Sequence, residues 1–289
     1  MNRSWKIKNR TLPIGERTLV MGILNVTPDS FSDGGRFFSL DKAIEHAQQM
    51  VSEGADIIDV GGESTRPGNE GPVSANDEID RVVPVIEALA KYSPDIPISV
   101  DTTKSEVAKT ALQAGAAIVN DISALRFDFY VADAAAREGA GLVLMHSRGT
   151  PATMHRLPPV AEIMQEVVSS LGASVKMAER RGVQRESIVI DPGIGFGKSQ
   201  EQNLELLARL EEFSAAFPDL PILIGTSRKS FIGRILADES CTPAPTEDRT
   251  FGTVASVAAA VLKGASIVRV HEVKSTVESI KVLDAIKRS

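Results

Sequence analysis

Three residues with polar side chains, Asp101, Asn120 and Asp191, each stand at the end of a short apolar run. Carboxylate and amide groups at such positions can exchange hydrogen bonds with a flat heterocycle that has an amidine-like edge. The same groups can instead bond to one another or cap helices, as Asp101 could do ahead of Thr102. A heterocycle site is therefore one of two interpretations of this trio.

Cationic and amide side chains follow other apolar runs. Arg269 and His271 are two residues apart, so on one strand they would point the same way and could grip a diphosphate. Asn25 could assist through Mg2+, which takes oxygen ligands together with substrate phosphates. Lys229, just before Ser230 at a predicted helix start, could hold an anion, form a Schiff base or be a solvated side chain. The sequence thus indicates a local anion site.

Two polar, glycine-rich loops complete the candidate site. Residues 21–35, MGILNVTPDSFSDGG, are a buried strand running into a loop that contains Asp33 and could close over a reaction. An ordinary solvated turn is the alternative for this loop. The second loop follows the run ADIIDV and carries Thr65, Arg66 and Pro67.

The elements that must position these residues alternate along the chain. Eight apolar runs, each followed by a helical run, predict a (β/α)8 TIM barrel, whose active site lies at the carboxyl ends of the strands. A short N-terminal β-hairpin over residues 5–16, turning around 12–15, is expected to plug one end. The predicted strands are 20–26, 55–60, 96–100, 117–119, 141–145, 187–190, 221–224 and 266–268. The helices are 40–53, 75–92, 106–114, 130–138, 160–181, 204–213, 250–262 and 273–286, with a further start at SFIGRIL.

An open doubly wound sheet is the alternative fold. GIGFGK at 193–198 resembles a dinucleotide-binding fingerprint, but it follows the sixth strand and has no acidic partner at the required distance. The barrel is therefore favoured, as a single domain over residues 1–289.

Composition limits the classes of partner. A chain of 289 residues that is 43% hydrophobic can bury a large core, and its net charge of -6 disfavours a general nucleic-acid or anionic-membrane surface. The single cysteine, Cys241, excludes an internal disulfide framework and indicates a reducing compartment. The start, MNRSWKIKNR, has no apolar signal region, and no run is long enough to span a bilayer. We expect a cytoplasmic protein that acts on small molecules, with no nucleic-acid or membrane partner.

Eight motifs, taken in order, are similar to those of one enzyme family. MGILNVTPDSFSDGG, DVGGESTRPG, SVDTTK, VNDIS, LMHSRGTPATM, DPGIGFGK, GTSRKSFIG and RVHEV resemble in order and spacing the motifs of the dihydropteroate synthases, from about Ile14 onward. The resemblance implies condensation of 6-hydroxymethyl-7,8-dihydropterin diphosphate with 4-aminobenzoate, with release of diphosphate, in folate biosynthesis. It also implies Mg2+ and a homodimer.

The resemblance assigns residues to the parts of such a site. The pterin would lie against Asp101, Asn120, Met145, Asp191, Gly225 and Lys229. The diphosphate would lie on Asn25, Arg269 and His271, with Mg2+ near Asn25. The 4-aminobenzoate would lie by Thr65, Arg66, Pro67 and Phe196, with its carboxylate near Ser230. Asp33 and Arg66 would belong to two mobile loops, and the catalytic roles would fall to Asp33 and Lys229.

Two departures from the family pattern lie beside matched positions, so they bear on loop packing more than on identity. Ser147-Arg148 replaces a Met-Gln type pair, and residues 126–130, RFDFY, are more aromatic than usual. Two other functions are also open: a Schiff-base aldolase using Lys229, and a non-catalytic or methyltransferase-type pterin-binding barrel. The latter would need neither the loop with Asp33 nor the Arg269 and His271 pair, so the synthase is favoured.

Overall fold

The computed structural model describes residues 3–27, 35–63 and 73–288 of the chain. In these ranges the strands are β1 (Arg3–Ile7), β2 (Arg10–Ile14), β3 (Leu19–Asn25), β4 (Ile57–Gly61), β5 (Ile98–Asp101), β6 (Ile118–Asp121), β7 (Gly141–Met145), β8 (Ile188–Asp191), β9 (Leu223–Ile224) and β10 (Ile267–Val270). The helices are α1 (Gly35–Ser52), α2 (Ala75–Tyr92), α3 (Ser105–Ala114), α4 (Tyr130–Glu138), α5 (Ile163–Arg180), α6 (Gln200–Ala208), α7 (Leu210–Ala216), α8 (Ser230–Ile235), α9 (Thr250–Leu262) and α10 (Val273–Arg288).

The strands from β3 onward form one parallel sheet with helices between successive strands. Their order is β8-β7-β6-β5-β4-β3-β10-β9, so neighbours in sequence are mostly neighbours in the sheet. A parallel bridge between Ile190 and Ile222 joins the two ends of this order. The predicted (β/α)8 barrel is therefore confirmed, and the doubly wound alternative is excluded.

Buried apolar side chains fall into two clusters, one on each side of the barrel wall. The larger cluster lies between the strands and the surrounding helices. The smaller contains inward-facing residues of seven barrel strands together with Trp5, Ile7 and Ile14 of the hairpin. Trp5 Nε1 also donates a hydrogen bond to the Ser187 carbonyl oxygen, 2.9 Å away, just before β8 begins. The hairpin therefore plugs the amino-terminal end of the barrel, as predicted.

The hairpin turn lies elsewhere than expected. The chain reverses at Lys8 and Asn9, and Pro13 stands inside β2, paired with Ser4. A two-stranded ribbon has only edge strands, where proline is tolerated because no ladder donor is needed on its open side. The prediction of a turn at 12–15 was wrong.

The predicted helix 204–213 was also wrong, because it spans two helices. Ser199 begins α6 with a capping box to Gln202, and the chain breaks at Arg209 before α7. The other predicted helices and strands agree with the structure to within about five residues at each end. In the described part of the chain no helix is long and apolar enough to cross a bilayer.

Candidate active site

The two-residue period of a strand determines which side chains reach the carboxyl end of the barrel. Strand residues of the smaller apolar cluster face the barrel interior. The residue two positions later on the same strand also faces inward, one layer nearer the carboxyl end of the barrel. Asp59, Asn120, Met145, Asp191, Gly225 and Arg269 all stand two positions after an interior residue, at Ile57, Ile118, Val143, Val189, Leu223 and Ile267 respectively. One layer therefore collects most of the predicted pterin and diphosphate residues at the barrel mouth.

An arginine lies between two carboxylates at the centre of this layer. Arg269 Nε donates to Asp59 Oδ2 at 2.6 Å, and Arg269 Nη2 donates to Asp101 Oδ2 at 2.7 Å. Asn120 Nδ2 donates to the same Asp59 oxygen at 3.0 Å. Burial raises the pKa of Asp101 to about 7, against the opposing effect of the Arg269 charge. Asn120 and Arg269 therefore meet on Asp59, and Asp101 joins them through Arg269.

A further carboxylate and a lysine, Asp191 and Lys229, lie beside this cluster. Asp191 Oδ1 accepts a hydrogen bond from the Gly193 backbone N–H at 2.7 Å, and Lys229 Nζ donates to the Ile194 carbonyl oxygen. Burial lowers the pKa of Lys229 to about 8, while the Asp191 carboxylate opposes that shift. Burial also raises the pKa of Asp191, and the Lys229 charge opposes it. Lys229 therefore lies in the candidate site, and the alternative of a fully solvated side chain does not hold.

Gly225 separates the two cations of the site. A Cβ atom built on Gly225 would lie 3.8 Å from Arg269 Cβ and 4.0 Å from Lys229 Nζ. Met145 is buried and pairs with Asp191 across β7 and β8, so it forms an apolar wall next to the carboxylate. Met145 and Gly225 therefore lie beside the charged residues of the mouth.

The loop after β8 carries Phe196 over Lys229. The Lys229 Nζ atom lies 4.6 Å from the centre of the Phe196 ring. Lys198 Nζ holds this loop by donating to the carbonyl oxygens of Gly193 and Phe196, at 2.7 and 3.2 Å. Sequence reasoning gave no role to Lys198, although it ends the quoted motif DPGIGFGK. These hydrogen bonds give Lys198 a role in holding the loop that carries Phe196.

The departure at Ser147-Arg148 also acts on this loop. Arg148 Nη1 donates to the Gly197 carbonyl oxygen at 3.0 Å, and Arg148 Nε lies 3.1 Å from Glu166 on α5. Ser147 accepts a hydrogen bond from Arg126 at 2.9 Å. The expectation that this pair bears on loop packing is confirmed.

The predicted diphosphate residues lie around the same mouth but take different partners. Asn25 is the last residue of β3. A Cβ atom built on Gly61 would lie 3.7 Å from Asn25 Oδ1 and 3.5 Å from Asp101 Cβ. His271 lies one residue beyond the end of β10, with its Nδ1 atom 2.9 Å from Ser227 Oγ. The expectation that Arg269 and His271 share one strand is wrong, because His271 lies just beyond the end of β10. Arg269 bonds to Asp59 and Asp101, whereas His271 bonds to Ser227.

The remaining predicted residues are less informative. Ser230 is exposed and is the first residue of α8. Asp33, Thr65, Arg66 and Pro67 lie outside the described residues. Asp59, which sequence reasoning missed, was detectable as a charge inside β4, whose sequence is IIDVG, because a parallel strand buried on both faces is otherwise apolar.

A parallel barrel whose mouth joins carboxylate and amide groups to two cations is an enzyme scaffold with a site for a polar heterocycle and an anion. The family model described as "Pterin binding enzyme" matches residues 21–271. This match covers the described site from β3 to His271.

Relatives match along nearly the whole chain. The dihydropteroate synthase of Synechocystis sp. is 50% identical over 274 residues, which are 95% of this chain and 92% of the relative. The structure of the Clostridium difficile dihydropteroate synthase, determined in the presence of pteroic acid, is 45% identical with a TM-score of 0.87, over 96% of this chain and 99% of that one. The Xanthomonas albilineans enzyme with 4-aminobenzoic acid is 40% identical with a TM-score of 0.88, over 99% of both chains. The chain belongs to the dihydropteroate synthase family of pterin-binding enzymes.

Proposed function

We propose that this protein catalyses the dihydropteroate synthase reaction. The amine nitrogen of 4-aminobenzoate forms a bond to the methylene carbon of 6-hydroxymethyl-7,8-dihydropterin diphosphate, the bond from carbon to the diphosphate oxygen breaks, and the amine loses a proton. The observation that carries the proposal is the convergence of Asp101, Asn120 and Asp191 with two partly buried cations, Arg269 and Lys229, at one barrel mouth.

Each group has a role in this reaction that follows from its chemistry. The Asp191 carboxylate accepts hydrogen bonds from the amidine-like edge of the ring, and Lys229 supplies a cation beside it for a ring acceptor. Asn120 and Asp101 complete the polar edge, and Met145 covers one face of the ring. Arg269 and His271 stabilise the diphosphate as it leaves.

A Mg2+ ion is part of the proposal. In the described ranges no group of three or more His, Cys, Asp or Glu side chains is placed to hold a metal. One amide oxygen, that of Asn25 at the end of β3, suits an ion that is bound chiefly by substrate phosphates and water. When bound there, Mg2+ would neutralise charge on the leaving diphosphate.

The other elements of the proposal complete the enzyme. Phe196 with the loop residues Thr65, Arg66 and Pro67 binds 4-aminobenzoate, whose carboxylate reaches Ser230 at the start of α8. We place the enzyme in the cytoplasm, as a homodimer of single-domain chains.

The order of bond changes follows from the electron-rich ring, which stabilises a positive charge on its methylene carbon. Ionisation then precedes attack by the weakly basic aniline, and Asp33 stabilises the cation once water is excluded. With no 4-aminobenzoate present, the bridging oxygen of the diphosphate ester should scramble into non-bridging positions of recovered substrate. Asp33→Ala should scramble more slowly while still binding substrate. Absence of scrambling, with a strong rate dependence on aniline basicity, would indicate direct displacement.

Diphosphate release tests the proposed function directly. The pterin diphosphate is incubated with the protein, with and without 4-aminobenzoate, and both diphosphate and the condensed product are measured. Product formation that requires both substrates supports the synthase. Pterin binding without any condensation would instead identify a non-catalytic or methyltransferase-type barrel.

A further inference from the structure

Asp59 is a buried carboxylate at the centre of the site that the predicted residue set does not contain. Its side chain has no exposed surface. Its Oδ2 atom accepts from both Arg269 Nε and Asn120 Nδ2, and its Oδ1 atom has no hydrogen-bond partner among the described residues. A half-satisfied buried carboxylate is costly to the fold, so its presence calls for a contribution other than stability.

The contact with Asn120 orients an amide. Because Nδ2 donates to the Asp59 carboxylate, the amide oxygen of Asn120 points away from Asp59. A flipped amide would place its oxygen against a carboxylate oxygen, which is repulsive. Asp59 thereby makes Asn120 present an acceptor, and not a donor, to a ligand in the mouth.

The contact with Arg269 orients a guanidinium. Asp59 takes the Nε hydrogen and Asp101 takes a hydrogen of Nη2, so neither carboxylate is bonded to Nη1. A guanidinium has a rigid planar set of five donors, so holding one edge fixes the direction of the other. The remaining edge can then bind an anion without first being oriented.

We propose that Asp59 is a positioning residue that links the ring-binding and the diphosphate-binding halves of the site by orienting Asn120 and Arg269 through one oxygen. The proposal rests on the proposed function, since it takes the pterin and diphosphate as the ligands. Asp59 acts through these two side chains and is not itself assigned a contact with substrate.

Separate titrations with 6-hydroxymethylpterin and with inorganic diphosphate test this link by calorimetry. Asp59→Ala should lower the affinity for both ligands by about tenfold or more, because Asn120 and Arg269 lose their orientation. Asp59→Asn is isosteric and retains an acceptor oxygen, so it should bind the pterin within about threefold of the unsubstituted protein. Thermal unfolding of the same samples corrects each affinity for the folded fraction.

Ser99→Ala is the matched control. Ser99 pairs with Asp59 across β4 and β5, is fully buried, and its hydroxyl has no partner in the described part of the chain. This variant should leave both affinities unchanged, because Ser99 orients neither partner. A comparable loss in Ser99→Ala would show that any polar change in this layer disturbs the site, and would overturn the proposal.

A double variant separates positioning from direct contact. In an Asn120→Ala protein, adding Asp59→Ala should cause no further loss of pterin affinity, because the group through which Asp59 acts is already gone. Full additivity, unchanged binding by Asp59→Ala, or loss of pterin binding in Asp59→Asn beyond about tenfold would each overturn the proposal. The Asn variant keeps the test decisive if Asp59→Ala does not fold.

Failure of the unsubstituted protein to bind pterin would overturn the proposed function, and this inference with it. That result is distinguishable from the outcomes above, which concern only the variants.

Discussion

At the scale of single residues, Asp191 supplies the carboxylate that we propose as the main acceptor for the ring. It is buried, it accepts one hydrogen bond from Gly193, and it faces Lys229. A ring N–H that meets an amide in place of this carboxylate loses a charged hydrogen bond, and a donor can face a donor.

Asp191→Asn should therefore weaken the binding of 6-hydroxymethylpterin by about 2 to 4 kcal/mol. Calorimetry on the folded variant measures the loss. Asp133→Asn is a suitable control, since Asp133 forms a partly exposed pair with Arg181 on the outer helices. Unchanged pterin affinity in Asp191→Asn would remove the residue from the site.

Lys229 should make pterin binding depend on pH. Burial lowers its pKa from 10.5 to about 8, so it is charged below that pH and loses its proton as the pH rises through it. Pterin affinity should fall over that interval, whereas Lys229→Arg should not show this fall, because a guanidinium stays charged. Calorimetry of both proteins from about pH 7 to about pH 9.5 makes the comparison, and any titration of the ligand itself appears in both.

As the pH rises, the free energy of unfolding should change in the direction opposite to pterin affinity. The folded-state pKa of Lys229 lies below its unfolded value, so the unfolded chain binds more protons between the two and the free energy of unfolding rises with pH there. This rise should be smaller in Lys229→Arg. Parallel falls in affinity and stability would mean that the pH effect is general unfolding.

The sequence predicted most of the site because its residues stand at strand ends, where a barrel places function. Asp101, Asn120, Asp191, Lys229 and Arg269 were all found in this way. Asp59 was missed because it stands two residues before the glycine that ends β4, not at the strand end itself. Counting inward-facing positions, and not strand ends, would have found it.

At the scale of elements, the hairpin is the part of the fold that lies outside the barrel repeat. Pro13 and Gly15 suggested a turn at the wrong place, because proline and glycine also occur beside and within edge strands. Local pattern could not show that Trp5, fully buried, fills the barrel floor. That role depends on the strands into which Trp5 packs, which are far away in sequence.

Trp5→Ala should lower the free energy of unfolding by about 3 to 5 kcal/mol, since it leaves a cavity and an unbonded Ser187 carbonyl. Denaturant unfolding measures the change. Lys6→Ala, on the same strand, should change it by less than about 0.5 kcal/mol, because its pair with Glu186 is exposed. Equal small effects would mean that the hairpin is not part of the core.

At the scale of the whole molecule, β9 has only two residues, and the barrel closes through a single bridge beside it. The sequence predicted a strand over 221–224 and could not show how the barrel closes, since closure depends on contacts between strands that are distant along the chain. Net charge is also a property of this scale. Although the net charge is -6, Arg269 and Lys229 place local positive charge at the mouth, beside the carboxylates of Asp59, Asp101 and Asp191.

The outer surface carries exposed apolar residues on and beside α8 and α9. Phe251 on α9 is 88% exposed, and Ile235 of α8, Leu236 just after it and Leu262 of α9 are each between 45% and 55% exposed. Leu236 packs near Gly252, so part of this set forms one patch. Exposed apolar patches of this kind mark interfaces, which supports placing the proposed homodimer contact on α8 and α9.

Phe251→Glu should convert a dimer into a monomer at micromolar concentrations, because two like charges would face each other across a two-fold axis. Analytical ultracentrifugation over a range of concentrations measures the change. Tyr92→Glu is the matched control, since Tyr92 is an exposed aromatic residue on α2, away from this patch. An unsubstituted protein that sediments as a monomer throughout, or a Tyr92→Glu protein that dissociates while Phe251→Glu does not, would place the contact elsewhere or rule the dimer out.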